Sequence, residues 1–550
     1  MNDYFKKNIN KIIGVFLLLQ PFLDLLTGIC IHRFNLNITI GIVVRIIFLL
    51  FICFVVIFIF KKKKVIIPYL IIGLYFIFYF IGLKIYKDTI YLSEIQNLIK
   101  VFYFPILLIS LYSIKDEIRI SNLTFFTIIF FYLILIFVPI LLNVGYKSYE
   151  ITKSGTLGFF NSANEISGII SILTPFLFIV FYESKRIVPI IILTIMYLVV
   201  VLTMGTKTPI LSLGITSLIS IVYFWIYLFK NKKYKIIITS FLVVLISCIG
   251  LVLIIPKTSF YKNIRVHLDF LEVDHITDVF KDKKLIDHFI FSSRIKFLKN
   301  KSKIYHKSST YEKIFGIGYI NNNKNTKLIE MDYYDIIYSH GIVGFLIFIM
   351  IIIYILYKTL NRKKGYEQLM KYTSLFFILF LSLLTGHIIT APSVSLLSIL
   401  IIISLAKRTK KDILLYSRSI NNIEKEHKDL IDKLDYNKYK ITIFLESSIP
   451  NNLNKNVIVK NVKYNKIQLL VFKILNYHNY DFSYNLTSNN IADYIVMNAS
   501  YNNAILVKKD VNTKYKYLVF KRKEEKKEFE KEYPGLKEKT VLLNDIIDIK

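Results

Sequence analysis

A chain of 550 residues that is 54% hydrophobic and 15% aromatic, with a formal net charge of +33 and a mean hydropathy of +0.51, falls among polytopic membrane proteins. The basic residues sit in short runs between apolar stretches, as cytoplasmic loops facing anionic lipid do, so the charge is read as topology and not as a nucleic-acid footprint. Cys30, Cys53 and Cys248 lie in or beside apolar segments without metal-ligand spacing, which argues for buried thiols over a disulfide framework.

A helix needs about 20 apolar residues to cross the hydrocarbon core. Such runs fall near 12–31, 38–60, 65–83, 98–114, 123–143, 159–182, 187–204, 208–229, 236–256, 333–357, 374–390 and 391–406, about twelve spans in all. The first run ends without an A-x-A-like site and is expected to stay as a helix. The last two are joined by a very tight turn. With Lys6, Lys7 and Lys11 on the cytoplasmic side, the inside loops carry Lys61, Lys62, Lys63 and Lys64, then Lys115 and Arg119, Lys185 and Arg186, the run KNKKYK from Lys230, the bases at 362–364, and KRTKK from Lys407. An even number of spans keeps both termini cytoplasmic in a multi-pass protein of the cell membrane.

One outside connection breaks the pattern of short links. Residues 257–332 form a polar stretch of roughly 75 residues with His267, His275, His288 and His306, and loops of that length are usually functional or separately folded. The span that follows opens on EMDYYDIIYSHGIVGF, which puts Glu330, Asp332, Asp335 and His340 at its extracytoplasmic mouth. Beyond the membrane region, 1–406, residues 407–438 read as a basic and polar linker containing IEKEHKDLIDKLD. Residues 439–550 alternate strand-like runs (KITIFLES, NVIVKNV, DYIVMNA, YKYLVF, TVLLNDI) with a helical stretch, RKEEKKEFEKEYPGL. The expected fold is therefore an all-α polytopic membrane protein with a large extracytoplasmic loop and a small cytoplasmic α/β C-terminal domain.

Four constellations could carry chemistry. In GTKTPIL, Gly205 permits a turn and Lys207 stands at a helix N-terminus, where a cation opposes the dipole and favours an anionic partner; a plain turn with an interfacial lysine is the alternative. In SSRIKFL, Arg294 offers a permanent charge and a planar fork for phosphate, or is a surface arginine. In GFFNSANEISG, Asn161, Asn164 and Glu165 are costly in lipid and should face a cavity or each other, unless they are helix–helix contacts. Asp24 and Arg45 fall at similar depth in adjacent spans and fit a structural ion pair. No Walker motif, GxGxxG or zinc spacing of histidines is present, so neither ATP nor a bound metal is indicated and no cofactor is expected.

In order, GFFNSANEIS, GTKTPIL, SSRIKFL, IFGIGY and EMDYYDIIYSHGIVG resemble the G-f-x-N-P-N, G-S-R-T, S-G-R, l-G-v-G and H-N-x-Y elements of the bacterial O-antigen ligase and polysaccharide polymerase superfamily, over roughly residues 1–405. Lys207 stands where the family usually has arginine, and Glu330 and Met331 where it has His and Asn. The resemblance implies glycosyl transfer on the outer face of the membrane, from a polyprenyl-diphosphate-linked glycan to a sugar hydroxyl on another lipid-linked glycan or on a wall or lipid anchor. Membrane lipid and other polysaccharide-assembly proteins are the further partners it implies. Arg294 and Lys207 would stabilise the leaving diphosphate without a metal. Glu330 or Asp332 would take the acceptor proton. Asn161, Asn164, Glu165 and His340 would bind substrate. The tail, from YIVMNASYNNAILVKK onward, resembles the end of the acceptor half of a two-Rossmann-domain glycosyltransferase. The rival readings are a transporter or flippase of lipid-linked oligosaccharide, and a membrane scaffold for the tail.

Overall fold

The structure, a computed structural model, describes residues 2–34, 40–87, 92–118, 120–148, 155–184, 187–273, 277–321, 324–325, 328–360, 365–406, 411–417, 439–445, 458–461, 492–496, 515–520, 523–532 and 540–542. Arg119, Lys185, Arg186, His275, the bases at 362–364 and 407–410, and 418–438 of the expected linker lie outside the described residues.

Among those residues, eleven helices are long and apolar enough to cross a membrane by length and composition. They are α1 (Asn2–Phe34), α2 (Ile40–Phe54, continued by a π turn, Val55–Ile59), α3 (Ile66–Lys87), α4 (Leu92–Ser113), α5 (Asn122–Leu141), α6 (Ala163–Glu183), α7 (Ile187–Met204), α8 (Lys207–Lys230), α9 (Tyr234–Ile254), α14 (Asp332–Thr359) and α15 (Tyr366–Leu384). The chain is a polytopic membrane protein. The twelfth expected span, α16 (Pro392–Leu405), has only 14 residues. At 1.5 Å per residue it reaches about 21 Å, short of the roughly 30 Å of hydrocarbon. Almost every one of its residues is buried, and it packs on α4, α6 and α15. A crossing enclosed by protein can be shorter than one that faces lipid, because the irregular backbone before it is met by protein groups.

The long connection before α14 is mostly helical: α10 (Ser259–Phe270), α11 (Lys283–Phe291), α12 (Arg294–Lys307) and α13 (Thr310–Phe315), followed by a two-strand turn, β1 (Ile320–Asn321) with β2 (Lys324–Asn325). Leu268, Val279 and Phe289 form a small core of their own that ties α10 to α11.

α14 is broken at Gly341 (φ 67°, ψ −177°). The break frees carbonyls that an unbroken helix would pair, and each finds a donor elsewhere. Ile317 N–H donates to Tyr338 O (3.2 Å) and Gly318 N–H to Ser339 O (3.0 Å), while the Tyr75 hydroxyl donates to His340 O (2.9 Å). The segment after α13 can lie this close because Gly316 and Gly341 carry no side chain: a Cβ on either would run into backbone of the other segment. An irregular turn at membrane depth is thus enclosed and hydrogen-bonded.

After α16, the described strands β3 (Lys411–Ser417), β4 (Tyr439–Leu445), β5 (Ile458–Asn461), β6 (Ala492–Val496), β7 (Tyr515–Phe520) and β8 (Thr540–Leu542) form one sheet in the order β5-β4-β3-β6-β7-β8, parallel at every pairing. α17 (Lys523–Glu532) packs against β7 and β8. β3 lies in the stretch expected to be linker. It occupies the middle of the sheet, paired on one side with β4 and on the other with β6.

Candidate active site

The mouth of α14 holds three acids with three different fates. The Asp335 carboxylate folds back over the helix start and accepts N–H bonds from Ile329 (3.0 Å), Glu330 (2.8 Å) and Met331 (3.3 Å), which ties down the segment that leads into the helix. Asp332 reaches sideways to the turn between α15 and α16. It accepts from the N–H groups of His387 (2.7 Å), Ile388 (2.9 Å) and Ile389 (3.0 Å) and from the Thr390 hydroxyl (2.6 Å). A carboxylate has about four lone-pair sites, and here each has a donor. Asp332 is only 2% exposed, so this geometry gives it the work of holding the turn and leaves no acceptor site for a substrate hydroxyl. Glu330 differs. Its backbone is left-handed (φ 63°), its side chain is 34% exposed, and its partners are Arg294 Nη2 at 3.0 Å and, more weakly, Asn164 Nδ2 at 3.5 Å.

Arg294 is aimed inward by a tight reversal between α11 and α12. Ser292 (φ 51°) and Ser293 (φ 64°) are both left-handed. The Asp287 carboxylate accepts from Ile295 N–H (2.9 Å) and Lys296 N–H (3.0 Å), capping α12 from the preceding helix. The arginine is buried, and its Nε has no hydrogen-bond partner among the described residues. Lys207 comes from the α7–α8 turn. That turn is fixed by Asn263 of α10, which donates to Gly205 O (3.3 Å), and by Ser167, which donates to the Thr206 hydroxyl (2.8 Å). Its ammonium donates to Phe289 O and lies 4.4 Å from the Phe289 ring centre. Lys207 and Arg294 are near enough for their like charges to interact. Arg294, paired with Glu330, therefore has a second cation, Lys207, nearby.

A polar cavity of about 250 Å³ opens beside this group, walled by residues of α1, α2, α4 and α6 and by the turn before α16. The Asp24–Arg45 ion pair (2.5 Å) lies in its wall, buttressed by Tyr132 donating to Asp24 (2.5 Å) and Arg45 Nε donating to Gln20 (2.8 Å). Asn161 and Glu165 line it, Glu165 accepting from the Ser393 hydroxyl at 2.5 Å. Asn164 instead reaches Glu330. His340, expected to touch substrate, is 0% exposed and outside the cavity wall. Its Nε2 pairs with the Tyr319 hydroxyl at 2.9 Å, and Tyr319 is the wall residue.

Several residues of this region were not singled out by the sequence. Buried Lys301 donates to Ser339 Oγ (2.7 Å) and pairs with Asp335 (3.5 Å); burial lowers its pKa, opposed by Asp335. Glu94 accepts from Tyr319 N–H (2.7 Å) and the Tyr79 hydroxyl (3.0 Å). Helical spacing held a signal for Lys301, which falls two turns after Arg294 on one face of α12. Glu94 is an acid at the start of an apolar run, a pattern that also carried a signal. Among the described residues no group of three His, Cys, Asp or Glu side chains is placed to hold a metal ion.

The family described as O-antigen ligase like membrane protein matches residues 6–285 and 277–411. The chain belongs to that family. The two matched segments include every residue of the site: Asp24 to Lys207 in the first, Arg294 to Ser393 in the second. As an O-antigen ligase-like protein, the chain has a function of the glycan-ligase or polymerase type and works with lipid-linked glycan and membrane lipid. The match stops at the start of β3, so most of the parallel sheet lies beyond it. Neither the search of curated proteins nor that of solved structures returns a match.

Proposed function

We propose that this O-antigen ligase-like chain is a glycosyltransferase of cell-surface polysaccharide assembly. It moves glycan from a polyprenyl diphosphate to a sugar hydroxyl at the outer face of the cytoplasmic membrane. The observation that carries the reading is the excess of positive charge at Arg294, Lys207 and Glu330, together with the buried, unpartnered Arg294 Nε. A buried donor left unmet costs about 1–3 kcal/mol, and a diphosphate oxygen would meet it.

The chemistry follows from the charges. The acceptor hydroxyl oxygen attacks the donor's anomeric carbon, and the bond from that carbon to the diphosphate oxygen breaks. The electron pair leaves with the diphosphate, whose growing charge meets Arg294 and Lys207. The hydroxyl proton passes to Glu330. The two roles are coupled: when the diphosphate draws Arg294 away, the Glu330 carboxylate loses its cation and becomes a better base. Asp332 and Asp335 position the helix mouth. On this reading 257–332 is extracytoplasmic, the side chains alone neutralise the diphosphate, and the α/β tail is cytoplasmic.

A flippase is the competing reading, and the break in α14 is the observation on its side, since transporters use discontinuous helices around their sites. Here the break is filled by the Ile317 and Gly318 backbone. Purified protein in vesicles with lipid-linked repeat units separates the two readings. Elongated or transferred glycan supports the enzyme; relocation of unchanged lipid across the bilayer would overturn it.

A further inference from the structure

The charged groups in the cavity wall are unequally occupied. Asp24 and Arg45 neutralise each other, Asp332 is saturated by the turn before α16, and Asp335 by the mouth of α14 and Lys301. Two groups remain. Among the described residues Lys100 has no hydrogen-bond or ion-pair partner, and the Glu165 carboxylate is bonded only to Ser393, through one oxygen. Asn97 stands one turn before Lys100 on α4, and both face the cavity together with Asn161. An ammonium, a carboxylate and two amides are a donor and acceptor set for hydroxyl groups.

We infer that this cavity is the acceptor-sugar subsite, that it takes a single pyranose ring, and that Lys100 and Glu165 are its specificity-determining residues. The inference rests on the glycosyl-transfer reading. Size argues for one ring: about 250 Å³ falls below the roughly 300–1,000 Å³ of pockets for drug-sized ligands. Charge argues against the diphosphate, because Asp24, Glu165, Asp332 and Asp335 outnumber Arg45 and Lys100 in the wall. A polyol tolerates that balance and a dianion does not. Position argues for the acceptor. The first turn of α6 separates the cavity from the proton acceptor, with Ser162 and Glu165 on the cavity side and Asn164 bonded to Glu330. A ring held in the cavity therefore lies across one turn of α6 from the proposed proton acceptor.

The test uses the full chain with its native cysteines replaced and Asn97→Cys added, labelled by an impermeant maleimide. The repeat-unit oligosaccharide released from the producing cell's polysaccharide should protect the new thiol, and polyprenyl diphosphate alone should not. In transfer assays Lys100→Met should raise the acceptor KM about 10–100-fold, as loss of hydrogen bonds from a charged group does. The donor KM and the kcat at saturating acceptor should stay unchanged, and Lys100→Arg should restore part of the loss. Protection needs no turnover. Protection without transfer by the wild type would sink the glycosyl-transfer reading and leave the subsite standing. No protection by saturating oligosaccharide, protection by polyprenyl diphosphate instead, or an unchanged acceptor KM in Lys100→Met would overturn the subsite.

Discussion

At the scale of single residues, Glu330 and Asp332 stand two positions apart and should fail in different ways. Glu330→Gln keeps the shape, removes the base and leaves Arg294 without its carboxylate. Its kcat should fall by about 10²–10⁴, the usual contribution of a general base, with normal protein levels and donor binding retained or tightened. Asp332→Asn brings N–H donors into a ring that already holds four. Each buried donor left unmet costs about 1–3 kcal/mol, so this variant should melt earlier in detergent. A stable, inactive Asp332→Asn beside an active Glu330→Gln would return the proton-acceptor role to Asp332. The acids themselves were legible in the sequence; their division of labour was not. Asp332 takes its donors from His387 to Thr390, more than fifty residues away, and no local pattern reports that. His340 shows the same limit. A histidine at a helix mouth reads as substrate-binding, yet packing against Tyr319 buries it completely.

At the scale of elements, hydrophobic runs fixed the spans because lipid forces each to be long and apolar. The same signal hid the break in α14, since Gly341 lies where the polar mouth ending in Ser339 and His340 passes into the apolar run, and nothing local marks a break there. The break follows from a positive φ and from the approach of 314–318, which only glycine permits at both contact points. Gly341→Ala meets both obstacles. A backbone at φ 67°, ψ −177° is open essentially to glycine alone and costs about 1–3 kcal/mol for a residue with a Cβ, and the clash with the Ile314 and Gly316 backbone adds to it. Thermal unfolding in detergent should show a clear loss of stability. A variant as stable as the wild type would mean that the helix runs straight in the membrane. α16 taught the opposite lesson: it is shorter than its composition suggested, and it is enclosed by α4, α6 and α15 instead of facing lipid.

For the whole molecule, the proposed orientation rests on the alternation of basic loops, which predicts 257–332 outside and, with α16 completing a twelfth crossing, the tail inside. Single cysteines, Ser309→Cys and Ser447→Cys, in a background without the native thiols test this with an impermeant maleimide on intact cells. Ser309→Cys should label and Ser447→Cys should not; the reverse would invert the topology. The strands of the tail were legible as β-branched runs. β3 was missed because it follows directly on the basic run KRTKK and reads as linker, although it pairs in the centre of the sheet. The sheet's order, turning outward on both sides of the β3–β6 pair, is that of doubly wound α/β folds. The central claim needs the molecule as a whole, because Lys207, Arg294 and Glu330, proposed to form one anion site, come from three separate elements. It is tested most directly by glycan transfer per unit of membrane protein in the wild type, Arg294→Ala and Arg294→Lys. Arg294→Ala should lose about 100–1,000-fold, the loss seen when one oxyanion-stabilising donor is removed, and Arg294→Lys should recover only part of it, keeping the charge without the fork. Equal transfer by Arg294→Ala and the wild type would contradict the diphosphate site and the mechanism built on it.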